Sequence, residues 1–305
     1  MTTTHKSHTL TPHKLARHIY LGTTADGSNI GCVVSDDGAI CIDLPHTAAE
    51  TLAWRSELSQ LTLKPIKSVI FTSPDRFSSE ALGALATGKL RMPTLLQDAG
   101  HHTLLSALEA SYPHPTELGL PFHVREQAGL PEITFSDHAT VTLGGSVDPI
   151  YVDVTHVGGC APGASYVTVR DSGILFVGDH IAVGEAPLFS AGDLDKWIKA
   201  LTGLSRFKNL KTVVPGRGAV TNASAADAMV EFVKSLKSAM TKFNRRDHAR
   251  EDLAALVPEL AAQFEPKRRT RGDLHGAEDI NTARIRTGLE AIFDAQRKET
   301  QAIIV

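Results

Sequence analysis

The feature that most constrains this chain is a pair of short β-rich runs, Asn29 to Val34 and Ala39 to Asp43, separated by Ser35, Asp36, Asp37 and Gly38. Asp and Gly tolerate positive φ, so the separator is hairpin chemistry and the runs read as two antiparallel strands. Whatever the chain folds into must accommodate this hairpin near its amino terminus.

Beyond the hairpin the pattern changes period. Thr47 to Leu61 has Ala48, Leu52, Leu58 and Leu61 close to helical spacing, with Trp54 between them, and Lys67 to Phe71 returns as a strand. A helix is expected over Glu80 to Thr87, a short strand at Thr94 to Leu96 and another helix over residues 101–111. The Pro-rich stretch SYPHPTELGLPF that follows reads as loop. Strand-like runs reappear at 132–135, 139–143, 149–154, 165–170 and 174–177. Asp193 to Leu204 is expected to be a helix, with Asp193 and Asp195 in its first turn where carboxylates suit the dipole. Leu210 to Val214 is a buried strand ended by Pro215 and Gly216. From Ser224 onward the chain is helical, except for a loop around 265–276 before a last helix, Asp279 to Arg297. No internal repeat is present. Strands and helices alternating in this mixed way argue for an α/β sandwich of layers rather than a doubly wound parallel sheet.

With 305 residues, 42% hydrophobic and 21% charged, the chain has the balance of an ordinary globular protein and can bury a core. A formal net charge of −3 and a pI near 6.5 provide no global field for nucleic acid or an acidic membrane, so neither is expected as a partner. Basic clusters at Arg245–Arg246 and at Lys267 to Arg271 are expected to be solvated. Cys32, Cys41 and Cys160 form no CxxC pair and no regular framework, which fits a reducing compartment, the cytoplasm by default. No signal-peptide stretch and no run of about 18 apolar residues occurs. Residues 1–18, with His5, His8, His13 and His18, are expected to form a flexible polar arm. No phosphate-loop or dinucleotide fingerprint supports nucleotide binding.

Four stretches, in order from residue 28 to about 220, resemble the metallo-β-lactamase superfamily. SNIGCVVSDDGAICIDLPHT is similar to the family's opening hairpin, whose second strand ends in an Asp, here Asp43. FTSPDRFSSEALG stands where the family has THxHxDHxxG. HVGGCAPGASYVTVRDSGILFVGDH resembles PGHTPGS followed by a strand and GD. LFSAGDLDKWIKALTGLSRFKNLKTVVPGRGAV is similar to a helix with Trp leading to a strand and PGHG. The resemblance implies a four-layer αββα sandwich over residues 19–220 with an active cleft at one edge of the two sheets. Residues 221–305 would supply extra C-terminal helices packed on or covering it.

Matched residue by residue, Thr72 takes the family's Thr, and the four metal ligands of that motif fall on Ser73, Asp75, Phe77 and Ser78. The His of PGHTPGS falls on Cys160 and that of PGHG on Arg217, while the bridging Asp survives as Asp179. Two zinc or iron ions bridged by a carboxylate would activate water for hydrolysis in such a site. Here Phe offers no lone pair, and a guanidinium stays protonated and repels a dication. The resemblance therefore implies a degenerate site with no metal cofactor and a role in binding or regulation with a small-molecule or protein partner; Arg217 then either pairs with Asp179 or points into solvent.

The alternative is a hydrolase of ester, thioester or similar bonds with a remodelled site. It would use a single zinc or iron ion on Asp75, Cys160 and Asp179, or no metal, with those residues as the catalytic candidates. Cys160 is either a thiolate nucleophile or an inert core thiol. His46 and His180 are possible neighbours of the cleft, as bases or as hydrogen-bonded bystanders. His101, His102 and His275 have no ligand spacing to a second group. Phe232, Leu236 and Met240 are expected to pack one C-terminal helix on the sheets. Leu253 to Phe264 would cover the cleft, mediate a homodimer or simply pack.

Overall fold

The computed structural model describes residues 10–86, 92–112, 128–145, 148–245, 248–264 and 279–304. Among the described residues are two sheets and seven α-helices. The chain divides into two compact units. One runs through His156 and includes Val167–Ser172; the other comprises Val157–Tyr166 and the chain from Gly173 onward.

The first unit contains a seven-stranded sheet in simple sequence order. Its strands are β1 (His13–Ala16), β2 (Ile19–Thr23), β3 (Asn29–Val34), β4 (Ala39–Ile42), β5 (Ile66–Ile70), β6 (Thr94–Gln97) and β7 (Ile133–Phe135). β1 to β4 pair antiparallel through short turns, and the β3–β4 hairpin closes where Ser35 N donates to Gly38 O at 2.8 Å. From β4 onward neighbours run parallel, which requires a crossover between each pair. Three helices stand in those crossovers: α1 (Ala48–Leu61), α2 (Ser79–Leu85) and α3 (Asp98–Ser111). Every residue of β3 and β4 is buried. Ile30, Cys32, Val34, Ala39 and Cys41 share a core cluster with Trp54 and Leu58 of α1, Phe71 and Leu85.

β8 (His138–Leu143) and β9 (Ile150–His156) form an antiparallel hairpin, and the second sheet has the order β12-β11-β10-β9-β8, with β10 spanning Ser165–Val169. In the second unit β11 (Ile174–Phe176) and β12 (Thr212–Val214) pair parallel, with α4 (Leu194–Thr202) between them in sequence. Asp193 precedes α4 as its cap, its carboxylate accepting from Asp195 N and Lys196 N, so it stands one position outside the turn assigned to it from sequence. α5 (Ala225–Asn244), α6 (Val257–Ala261) and α7 (Ile280–Ile304) complete the unit.

The expected α5 face is buried, with Met229, Phe232, Val233, Leu236, Met240 and Phe243 recurring at helical spacing. Phe232, Leu236 and Met240 share a core cluster with Leu175 of β11 and Val213 of β12, and Phe232 also meets the rings of Phe264 at 5.0 Å, Phe189 at 6.1 Å and Trp197 at 6.4 Å between centroids. Leu253, Val257 and Leu260 are buried in the same cluster, which agrees with simple packing, one of the three roles expected for this segment.

Other differences are local. The arm expected over residues 1–18 carries strand β1, because His13, Lys14 and Ala16 pair with Leu21, Tyr20 and Ile19 of β2. α3 starts at Asp98, ahead of the expected 101, with Gln97 as its cap. The helices after residue 221 belong to the same compact unit as β11 and β12. His5, His8, Arg246, the 267–271 cluster and His275 lie outside the described residues, as does most of the Pro-rich loop. Among the described residues no helix is long and apolar enough to cross a membrane.

Candidate functional site

In the first unit the candidate residues follow β5. Asp43, just past β4, has left-handed backbone (φ 56°), a conformation that Asp adopts more readily than most residues. Its buried carboxylate accepts from Thr72 N at 2.8 Å and from Thr72 Oγ1 at 2.7 Å, tying the end of β4 to the segment after β5. Ser73 is buried at the start of the 3₁₀ turn Pro74–Arg76, and Asp75 is half-buried within it. Phe77 turns its ring to the core, edge-on to Phe71 with centroids 5.5 Å apart. Ser78 caps α2, its hydroxyl accepting from Ala81 N at 3.2 Å and donating to His46 O at 2.9 Å. His46 itself is half-buried. Arg76, fully buried at 0% exposure, was not singled out from sequence, where it read as one more charge in a polar turn.

In the second unit the candidates lie on three loops. Gly158 and Gly159 precede Cys160, and Gly159 has φ 112° with its α-carbon so close to α4 that a Cβ would stand 2.7 Å from Trp197 Cα. Asp179 and His180 lie in the 3₁₀ turn after β11, and Arg217 follows β12. The last two loops are joined by main-chain bonds: Gly216 N donates to Gly178 O at 2.7 Å and to Ile181 O at 3.0 Å, and Val183 N to Arg217 O at 3.0 Å. Gly218 (φ 83°) permits this approach, since a Cβ there would fall 2.2 Å from Val183 O. Cys160, Asp179, His180 and Arg217 are all buried, none more than 2% exposed.

His180 shows how these loops are held. Its Nδ1 lies 2.9 Å from Val177 O and its Nε2 2.6 Å from Gly158 O, while its own carbonyl accepts from Trp197 Nε1 at 3.1 Å. Carbonyls only accept, so both ring contacts are hydrogen bonds at once only when the ring is an imidazolium. Cys160 Sγ lies 3.7 Å from Nδ1. Tyr166 packs its ring edge-on to His180, centroids 4.7 Å apart, and burial, with a smaller contribution from charge on Cys160, pushes its phenol well above its ordinary pKa. The His180 ring thus bridges the main chain at Gly158 and at Val177.

Sequence reasoning also missed Glu185 and Arg284. Arg284 Nη1 on α7 donates to Glu185 Oε2 at 2.5 Å and to Ala186 O at 3.1 Å, with side chains 6% and 2% exposed. Asn281 Oδ1 accepts from Ala186 N at 2.9 Å. α7 thus fastens the loop that follows Asp179 and His180. No sequence signal links positions separated by 99 residues.

Phe77 has no donor and is turned into the core, Ser78 is engaged as a helix cap, and Arg217 carries a permanent cation. Among the described residues no group of three His, Cys, Asp or Glu side chains is placed to hold a metal ion.

Comparison with known proteins agrees with the architecture. No protein-family model matches the chain, and no curated protein matches it. Solved structures do. A metallo-β-lactamase from Pontibacter korlensis superposes with a TM-score of 0.57 at 20% identity, over 73% of this chain and 98% of that one. The DIM-1 metallo-β-lactamase gives 0.55 at 16% identity over 74% and 97%, and TMB-1 gives 0.55 at 17% over the same shares. The fold is that of the metallo-β-lactamases, mixed α/β with two sheets.

Proposed function

We propose that this chain is a metallo-β-lactamase-fold protein with a degenerate dinuclear metal site, acting in binding or regulation rather than as a zinc hydrolase. The observation that carries this reading is the ring of Phe77, 5.5 Å from that of Phe71 and packed against the first unit's core, at a position where the fold family would need a metal ligand. Arg217 supplies positive charge in place of a dication and pairs with Asp179, so that the carboxylate is not buried alone. The ligand is a small molecule or a protein partner.

Metal analysis of the protein purified without a histidine tag tests the reading. Zinc, iron and manganese are expected far below one ion per chain; stoichiometric metal overturns it. Assays on ester and thioester substrates provide the second arm. Hydrolysis abolished by Asp179→Asn or Cys160→Ser would replace this reading with a remodelled hydrolase.

A further inference from the structure

Cys32 and Cys41 are Cα partners on adjacent antiparallel strands, and neither is exposed at all. The ladder decides how close their side chains come. Ser35 N donates to Gly38 O at 2.8 Å, so that pair is hydrogen-bonded, and bonded and non-bonded pairs alternate along an antiparallel ladder. Counting back through the unbroken register makes Val34 and Ala39 non-bonded, Val33 and Ile40 bonded, and Cys32 and Cys41 non-bonded. The other edge of β3 agrees: Val34 N donates to His18 O at 2.8 Å, so Val34, and with it Cys32, turns its main-chain groups toward β2. Non-bonded partners have Cα atoms about 4.5 Å apart, within the roughly 4.4–6.8 Å that a disulfide spans. Both side chains belong to one core cluster.

We propose that Cys32 and Cys41 are a redox modification site, oxidised by a peroxide to a cross-strand disulfide. In the first step the Cys41 thiolate attacks one peroxide oxygen, the O–O bond breaks, and the departing hydroxide takes a proton to leave as water, giving a Cys41 sulfenic acid. In the second, Cys32 gives up its proton, its sulfur attacks the Cys41 sulfur, and the S–O bond breaks to release a second water. Two thiols lose two electrons and one peroxide is reduced to two waters.

The hydrogen bond to Cys41, then burial, then charge on Cys41 hold the Cys32 thiol well above its ordinary pKa. Full burial restricts the oxidant to a small one admitted by local opening of the hairpin. The link would close two residues before Asp43, the carboxylate that holds Thr72.

The test treats the folded full-length chain with hydrogen peroxide, alkylates the remaining thiols in denaturant, and digests without reduction at Asp36 or Asp37, between the two cysteines. Two of the three thiols are expected to disappear, with the fragments carrying Cys32 and Cys41 joined until reduced. Cys160→Ser should leave the cross-link intact and Cys41→Ser should abolish it. If Cys41→Ser fails to fold, the wild-type peptide map decides alone. A cross-link through Cys160, three persisting thiols, or oxidised but unlinked Cys32 and Cys41 overturns the proposal.

Discussion

The segment after β5 in the first unit and the paired loops after β11 and β12 in the second hold their side chains in different ways. After β5, Phe77 packs against the core, Ser78 caps a helix, and Asp75 remains half-exposed. In the second unit the residues stay ionisable or charged and are buried: Asp179, His180, Glu185, Arg217 and Arg284, with Cys160 beside the histidine. Replacing a polar position by hydrocarbon removes the need for a partner. Retaining charge in the interior demands a partner for every group, so the second set should be far less tolerant of change.

That contrast orders the expected effects of substitution. Arg284→Ala leaves Glu185 buried without its cation and should destabilise the fold by about 3–5 kcal/mol in chemical denaturation, the typical cost of breaking a buried pair. Arg217→Ala is expected to cost the same order, about 3–5 kcal/mol, through Asp179; a change near zero would break the proposed pair and the contrast with it.

The first unit should respond less. Asp43→Ala removes two hydrogen bonds to buried Thr72 and should cost about 1.5–3 kcal/mol, read from the same denaturation curves. Phe77→Ala should cost roughly 1–3 kcal/mol, below the about 3–5 kcal/mol of a fully buried Phe, because the ring is only partly covered. Ser78→Ala loses a cap and should cost about 1 kcal/mol, with Ser78→Asp restoring most of it. A Ser78→Ala loss as large as that of Arg284→Ala would remove the distinction between the two regions.

Much of the architecture was legible because it is local. Asp36, Asp37 and Gly38 specify a turn, and the helical spacing on α5 specifies its buried face. β1 escaped because its residues are largely polar and its strand character comes from pairing with β2, a tertiary contact. Arg76 escaped for a similar reason, since nothing in a polar turn announces that one of its charges is enclosed.

The sequence by itself therefore determined the order of most elements and the hairpin, because these follow from local backbone preference and side-chain patterning. Only the tertiary structure decided that His180 gives both ring nitrogens to main-chain carbonyls, that Ser78 reaches His46, and that Arg284 finds Glu185 across 99 residues. Those outcomes depend on which buried groups must satisfy one another once the chain has closed around them, and no neighbouring residue in sequence carries that information.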